Sequence, residues 1–269
     1  MNLHGTRSTA LVTGASGGIG EAMARQLAAR GANLILVARS AARLQTLVEE
    51  LAQQHGIRAE VIATDLSGPG AGESLQNEVE ARGLQVDLLV NNAGFGGFSE
   101  FARQDAQEIS EMIAVNVTAL TDLTRRFLPA MLQRGRGRVL NVASTAGFVP
   151  GPLMAVYYAT KAYVLSFSEA VNEELRGTGL SVTALCPGPV ETGFQDAATL
   201  NESRLMSGVT RLAVLDVDTV ARTGVEAMLR GQGVAVAGLA NKVQVSSFRL
   251  LPRSVAARII AGVQARRGP

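Results

Sequence analysis

Tyr157 and Lys161 lie four residues apart, at the start of a stretch with helical periodicity from Val156 to Arg176. That spacing puts both side chains on one face of a helix. A phenol titrates at about pH 10 in water, and a neighbouring ammonium favours the phenolate. The pair therefore predicts a tyrosine whose pKa is drawn down toward neutrality. Such a group can give a proton to a carbonyl oxygen or take one from an alcohol. Tyr158, one residue on, faces elsewhere. Thirteen residues upstream, Ser144 follows the run Arg138 to Ala143, which reads as a strand. Its hydroxyl could bond the same substrate oxygen. Alone, Tyr-x-x-x-Lys is a common pattern that solvated helix pairs also show, so the elements around it decide its meaning.

Short β-branched and apolar runs alternate with longer helical periods along the whole chain. Strands are expected at 10–13, 33–38, 58–64, 87–91, 138–143, 180–186 and 234–237. Helices are expected at 18–30, 41–54, 72–82, 105–132, 156–176, 218–230 and 253–266. This alternation implies βαβ units, and strands apolar nearly throughout imply burial on both faces. The expected fold class is α/β, a doubly wound parallel sheet. With no linker in sight, residues 1–269 read as one domain. Chemistry in such sheets sits at the carboxyl ends of the strands, which is where Ser144 falls.

The turn between the first strand and the first helix reads Thr13-Gly14-Ala15-Ser16-Gly17-Gly18-Ile19-Gly20. Backbone N–H groups at a helix N-terminus attract phosphate, and glycines let it approach. Gly14, Ser16, Gly18, Ile19 and Gly20 are thus candidates to hold the pyrophosphate of a dinucleotide in a Rossmann-type fold. At the end of the second strand, where an NAD site usually offers a carboxylate, the sequence reads Ala38-Arg39-Ser40. Ala38 cannot repel a 2′-phosphate, Arg39 can pair with one, and Ser40 can donate to it. The expected cofactor is therefore NADP(H).

Taken together, these motifs resemble those of the short-chain dehydrogenase/reductase family, over about Thr9 to Gly238. The resemblance implies further roles. Asp65 and Leu66 would contact adenine, and Asn92, Ala93 and Gly94 would line the cofactor. Pro187, Gly188, Val190 and Thr192 would hold the nicotinamide end. Asn116 would join Ser144, Tyr157 and Lys161 as a catalytic residue, holding a water in a proton relay. Tyr157 and Lys161 would also touch the cofactor. The implied activity is reduction of a ketone to a secondary alcohol. An alcohol dehydrogenase, an epimerase or a non-catalytic NADP-binding regulator remain alternatives. The family also implies a homodimer or homotetramer, built on the two long helices.

Composition narrows the partners. Hydrophobic residues make up 47% of the chain, and the net charge is +2. No basic stripe suggests nucleic acid. One cysteine (Cys186) and two isolated histidines (His4 and His55) leave neither a disulfide nor a metal set, and suggest a reducing, cytoplasmic setting. No run is long enough to span a bilayer. Substrate choice would rest on a loop at about 193–215, with Phe194, Leu200, Leu205 and Met206 as an apolar lid. Phe95, Phe98 and Phe148 would line the pocket of a bulky, apolar small molecule. The helical extension at about 246–269 could cover that pocket, pack on a partner subunit or rest on a membrane. Packing is the favoured reading.

Overall fold

A computed structural model of the chain describes residues 8–190 and 214–264. Seven strands form one sheet: β1 (Thr9–Thr13), β2 (Asn33–Ala38), β3 (Ala59–Ala63), β4 (Leu88–Asn91), β5 (Arg138–Val142), β6 (Ser181–Cys186) and β7 (Val234–Val236). All pairs are parallel, in the order β3-β2-β1-β4-β5-β6-β7. The chain winds outward from β1 in one direction and from β4 in the other. Their carboxyl ends flank the point where the winding reverses, where such sheets open a crevice.

The strands are apolar nearly throughout because both faces are covered. Side chains alternate between faces with a period of two. Ala10, Val12, Leu34, Leu36, Leu88, Val90 and Leu140 join one core, with helices α1 (Gly18–Ala28), α2 (Ala41–His55) and α7 (Val217–Arg230). Leu11, Ile35, Val37, Leu89, Val139 and Val182 join the other, with α3 (Ala71–Ala81) and α5 (Leu120–Arg134). Fully burying one such leucine or isoleucine is worth roughly 1.5–3 kcal/mol. Helix α7 packs close to the sheet because Gly224 lacks a side chain. A Cβ there would lie 2.7 Å from Leu185 and 3.0 Å from Met23.

Two departures from the sequence reading bear on function. The single helix expected over 105–132 is α4 (Ala106–Ile113), a π-helical stretch at Ala114–Ala119, and then α5. The wider turn holds Asn116, whose side chain is bonded to the backbone at Phe95. A helix absent from the expectation, α8 (Leu239–Arg249), precedes the expected C-terminal one, α9 (Arg253–Gln264). Asn241, Val243, Val245, Ser246 and Ser247 are weak helix formers. Packing of Val245 and Asn241 overrides that preference.

Candidate active site

The crevice is assembled by cross-links between strand ends. The Thr13 hydroxyl, at the end of β1, accepts from the N–H groups of Asn92 (2.9 Å) and Ala93 (3.0 Å) and donates to the Val90 carbonyl (3.3 Å). The Asn92 amide donates back to the carbonyls of Thr13 (3.0 Å) and Gly14 (3.2 Å). A side chain at Gly14 would meet Asn92 at 2.8 Å, and Gly14 itself has φ +64°. A Cβ at Gly20 would fall on the Gly14 carbonyl and the Asn92 amide. These two glycines therefore serve the closeness of the β1 and β4 turns.

Gly17 caps α1 with extended backbone and gives no side-chain hydrogen bond to the helix N-terminus. By contrast, Asp105 caps α4, and Asp216 caps α7 through the Thr219 N–H at 2.7 Å. The first N–H groups of a helix have no partner within it. Those of α1 receive no carboxylate from Gly17, and a Cβ at Gly17 would meet nothing within 4 Å. Glu21, in its first turn, is instead paired with Arg25 at 2.8 Å. A pyrophosphate fits this end in charge and in room.

Arg39, beyond the end of β2, is exposed. Its charge reaches Asp65, whose carboxyl is held below its ordinary range, first by the Ser67 N–H and hydroxyl and only weakly by Arg39. Ser40 is half-buried at the cap of α2, and the Leu66 side chain turns into the core. Gly188 lies against Asn241, and Val190 bridges to Leu215. Thr192 and most of the expected substrate loop, Phe194, Leu200, Leu205 and Met206 included, lie outside the described residues.

Ser144, Tyr157 and Lys161 meet beyond the end of β5. Ser144 starts a 3₁₀ turn (Thr145–Phe148), accepting from the Ala146 N–H at 3.1 Å. Its hydroxyl makes a long contact, 3.4 Å, to the Pro187 carbonyl and a hydrogen bond with Tyr157. Tyr157 and Lys161 sit in the first turns of α6 (Ala155–Glu174). Gly147 allows the 3₁₀ turn onto that helix, since a Cβ there would lie 2.7 Å from the Lys161 carbonyl. Lys161 is buried; its ammonium donates to the Val142 carbonyl at 2.8 Å and stands 5.7 Å from the centre of the Tyr157 ring. Asn116 accepts from the Phe95 N–H (3.0 Å) and donates to the Phe95 carbonyl (2.9 Å) and the Thr160 hydroxyl (3.1 Å). Gly94 completes the group, its Cβ position 2.9 Å from Asn116 Oδ1 and 3.5 Å from Lys161 Nζ.

One electrostatic expectation is overturned. Burial pushes the Tyr157 phenol up to about 12, and a hydrogen bond with Ser144 opposes this only in part. Lys161 is drawn down to about 8, again by burial. Desolvation penalises both charged forms, and here it outweighs the pull of an ammonium already bonded to a carbonyl. Cys186 lies nearby, fully buried, its thiol pushed up to about 12 and so protonated.

An apolar wall stands beside the triad. Phe98, Val149, Met154 and Tyr158 pack with Ala256 and Ile260 of α9, and Phe148, Leu153, Tyr157 and Phe248 border them. The Tyr158 hydroxyl is engaged elsewhere, accepting from the buried Gln264 amide at 2.7 Å. The sequence reading missed this bond, along with the roles of Thr13 and Thr160. The first joins residues far apart in the chain, and none of the three has a local pattern. Among the described residues, no three His, Cys, Asp or Glu side chains gather as metal ligands, and no helix is long and apolar enough to cross a membrane.

A profile of short chain dehydrogenases matches residues 8–203. The chain belongs to the short-chain dehydrogenase family. It is accordingly an NAD(P)-dependent oxidoreductase of CH–OH and carbonyl groups. It is 36% identical, over 194 residues, to a very-long-chain 3-oxoacyl-CoA reductase of Anas platyrhynchos, a match that covers 70% of this chain and 61% of that one. A short-chain dehydrogenase from Sphingobium yanoikuyae, solved with NADPH, superposes with a TM-score of 0.77 at 32% identity, over 93% of this chain and 98% of that one. One from Burkholderia phymatum, solved with NAD, does so with a TM-score of 0.77 at 28% identity, over 89% and 92%.

Proposed function

We propose that this protein reduces a bulky, apolar ketone to a secondary alcohol, with NADPH as donor. The observation that carries the reading is the placement of Ser144, Tyr157 and Lys161 at the end of β5, against the wall of Phe98, Phe148, Met154 and Tyr158. Bound NADPH would supply hydride to the carbonyl carbon. Ser144 and Tyr157 hold the carbonyl oxygen, and their hydrogen bonds strengthen as charge develops there. A phenol raised to about 12 keeps its proton at neutral pH, the state that reduction needs. The Lys161 ammonium, 5.7 Å from the ring, stabilises the phenolate left behind. Both amide hydrogens of Asn116 are spent on Phe95 and Thr160, so its side chain acts as a positioning group for the Gly94–Phe95 turn.

The cofactor half of the proposal rests on Ala38, Arg39 and Ser40. The α1 N-terminus and the turns around Gly14, Asn92 and Gly94 would hold the dinucleotide, with Arg39 beside its 2′-phosphate. NADPH consumption over ketones graded by size and polarity tests the reading, with turnover expected to rise with apolar bulk. Tight NADPH binding without turnover of any ketone would sink it. Arg39→Ala should weaken NADPH binding about tenfold or more, as loss of a charge-assisted pair does, and leave NADH nearly unchanged. Equal losses for the two would remove the phosphate role.

A further inference from the structure

Helices α8 and α9 each have an occupied inner face and an exposed outer one. Inward, α8 buries Asn241 and Val245, and α9 buries Ala256, Ile260 and Gln264. Of the neighbouring pair Ile259 and Ile260, the second is buried and the first exposed. Outward, Leu239, Val243 and Leu250 recur at i, i+4 and i+11, one side of a helix. Leu239 is 77% exposed and Leu250 87% exposed. Leu251, Val255 and Ile259 extend the apolar surface, and these six are most of the large exposed hydrophobics among the described residues.

The charges that these two helices themselves carry are of one sign. After Glu226 the sequence contains no Asp or Glu, and it contains seven Lys and Arg. The remaining 18 Lys and Arg share residues 1–226 with all 23 Asp and Glu, a balance of −5. Lys242, Arg253 and Arg258 are exposed beside the leucines, while Arg249 is stacked on the Phe148 ring at 5.2 Å.

We propose that the outer face of α8 and α9 docks on an anionic lipid bilayer. Apolar side chains standing out of cationic helices that carry no acid suit the boundary between acyl chains and negative headgroups. A second copy of this chain fits less well. A two-fold contact through this face would bring cations onto cations, with no carboxylate on either helix to meet them. Nucleic acid would match the cations but leave the leucines in water. Because the inner face of α9 forms part of the wall near Tyr157, docking would bring the substrate side of the cleft close to the membrane. The proposal does not depend on the ketone reading.

Flotation of the full chain with vesicles tests it. One set of vesicles is phosphatidylcholine alone, and the other is an equal mixture with phosphatidylglycerol. Binding to the mixed vesicles should exceed binding to the neutral ones about tenfold and fall as salt is raised. Leu239→Ser with Leu250→Ser should abolish it, as should Lys242→Gln with Arg253→Gln and Arg258→Gln. NADPH affinity, read by fluorescence, should stay at the parent value in both variants and so certify their fold. Equal binding to the two vesicle types, or binding that survives both variants, overturns the proposal. So does a serine variant that only lowers the mass seen by light scattering, which would make this face a contact between copies.

Discussion

Two groups of polar side chains lie along β5 and α6, one buried inside the fold and one partly buried just past the end of the sheet. Inside, Asn91 donates to Thr124 (3.0 Å) and to Asn141 (2.9 Å), its register partner across β4 and β5. Asn141 donates to Ser168 (3.0 Å), and Ser168 and Thr124 pass their protons to carbonyls of their own helices. Past the strand end, Ser144 has a long contact of 3.4 Å, and Tyr157 and Lys161 have pKa values moved in opposite directions by burial. The inner group contains no titratable side chain, and its members spend their hydrogens on one another and on the carbonyls of their own helices. That arrangement fixes register. The outer group combines ionisable types with desolvation, and that combination stores chemistry.

Four substitutions would break or sharpen this contrast. The largest effect should come from Tyr157→Phe, which should slow ketone reduction about a thousandfold while NADPH affinity holds, because the proton donor is gone. Reduction at the parent rate would move the chemistry elsewhere. Asn141→Ala should do the opposite. It orphans donors and acceptors on Asn91 and Ser168 and should cost about 2 kcal/mol in urea unfolding, with turnover per folded molecule unchanged.

Lys161→Met probes the outer group through stability. In the folded protein the ammonium titrates at about 8 instead of 10.5. Between those values the unfolded chain holds a proton that the native state has lost, so stability should rise with pH across that window. Below it the cost is constant, and above it the contribution vanishes. The parent should therefore gain on the variant as pH rises from 8 to 10.5, in thermal melts of both proteins. Parallel curves would mean an unperturbed lysine. The smallest effect is expected from Gly94→Ala, which crowds Asn116 at 2.9 Å and should lower kcat about tenfold by displacing the Phe95 turn.

Much of this was legible in the residues. Strand apolarity and the glycine turn gave the sheet and its crevice, and Tyr157, Lys161 and Ser144 came from helical spacing read together with the strand end and the glycine turn. The sense of the Tyr157 shift was not legible, because desolvation depends on what surrounds the ring in space. Helix α8 was hidden by weak local propensity. The π stretch was hidden because Asn116 reaches a loop 21 residues away. The stitching by Thr13 joins turns 79 residues apart.

The bond between Tyr158 and Gln264 spans 106 residues. A ribosome adds residues in order, at roughly 5–20 per second, so on the order of ten seconds separates the two partners. All the strands and the dinucleotide crevice are synthesised before the last turn of α9. The cleft is thus built open and walled later, and a nascent chain stalled before α9 would carry the triad without the helix that borders it.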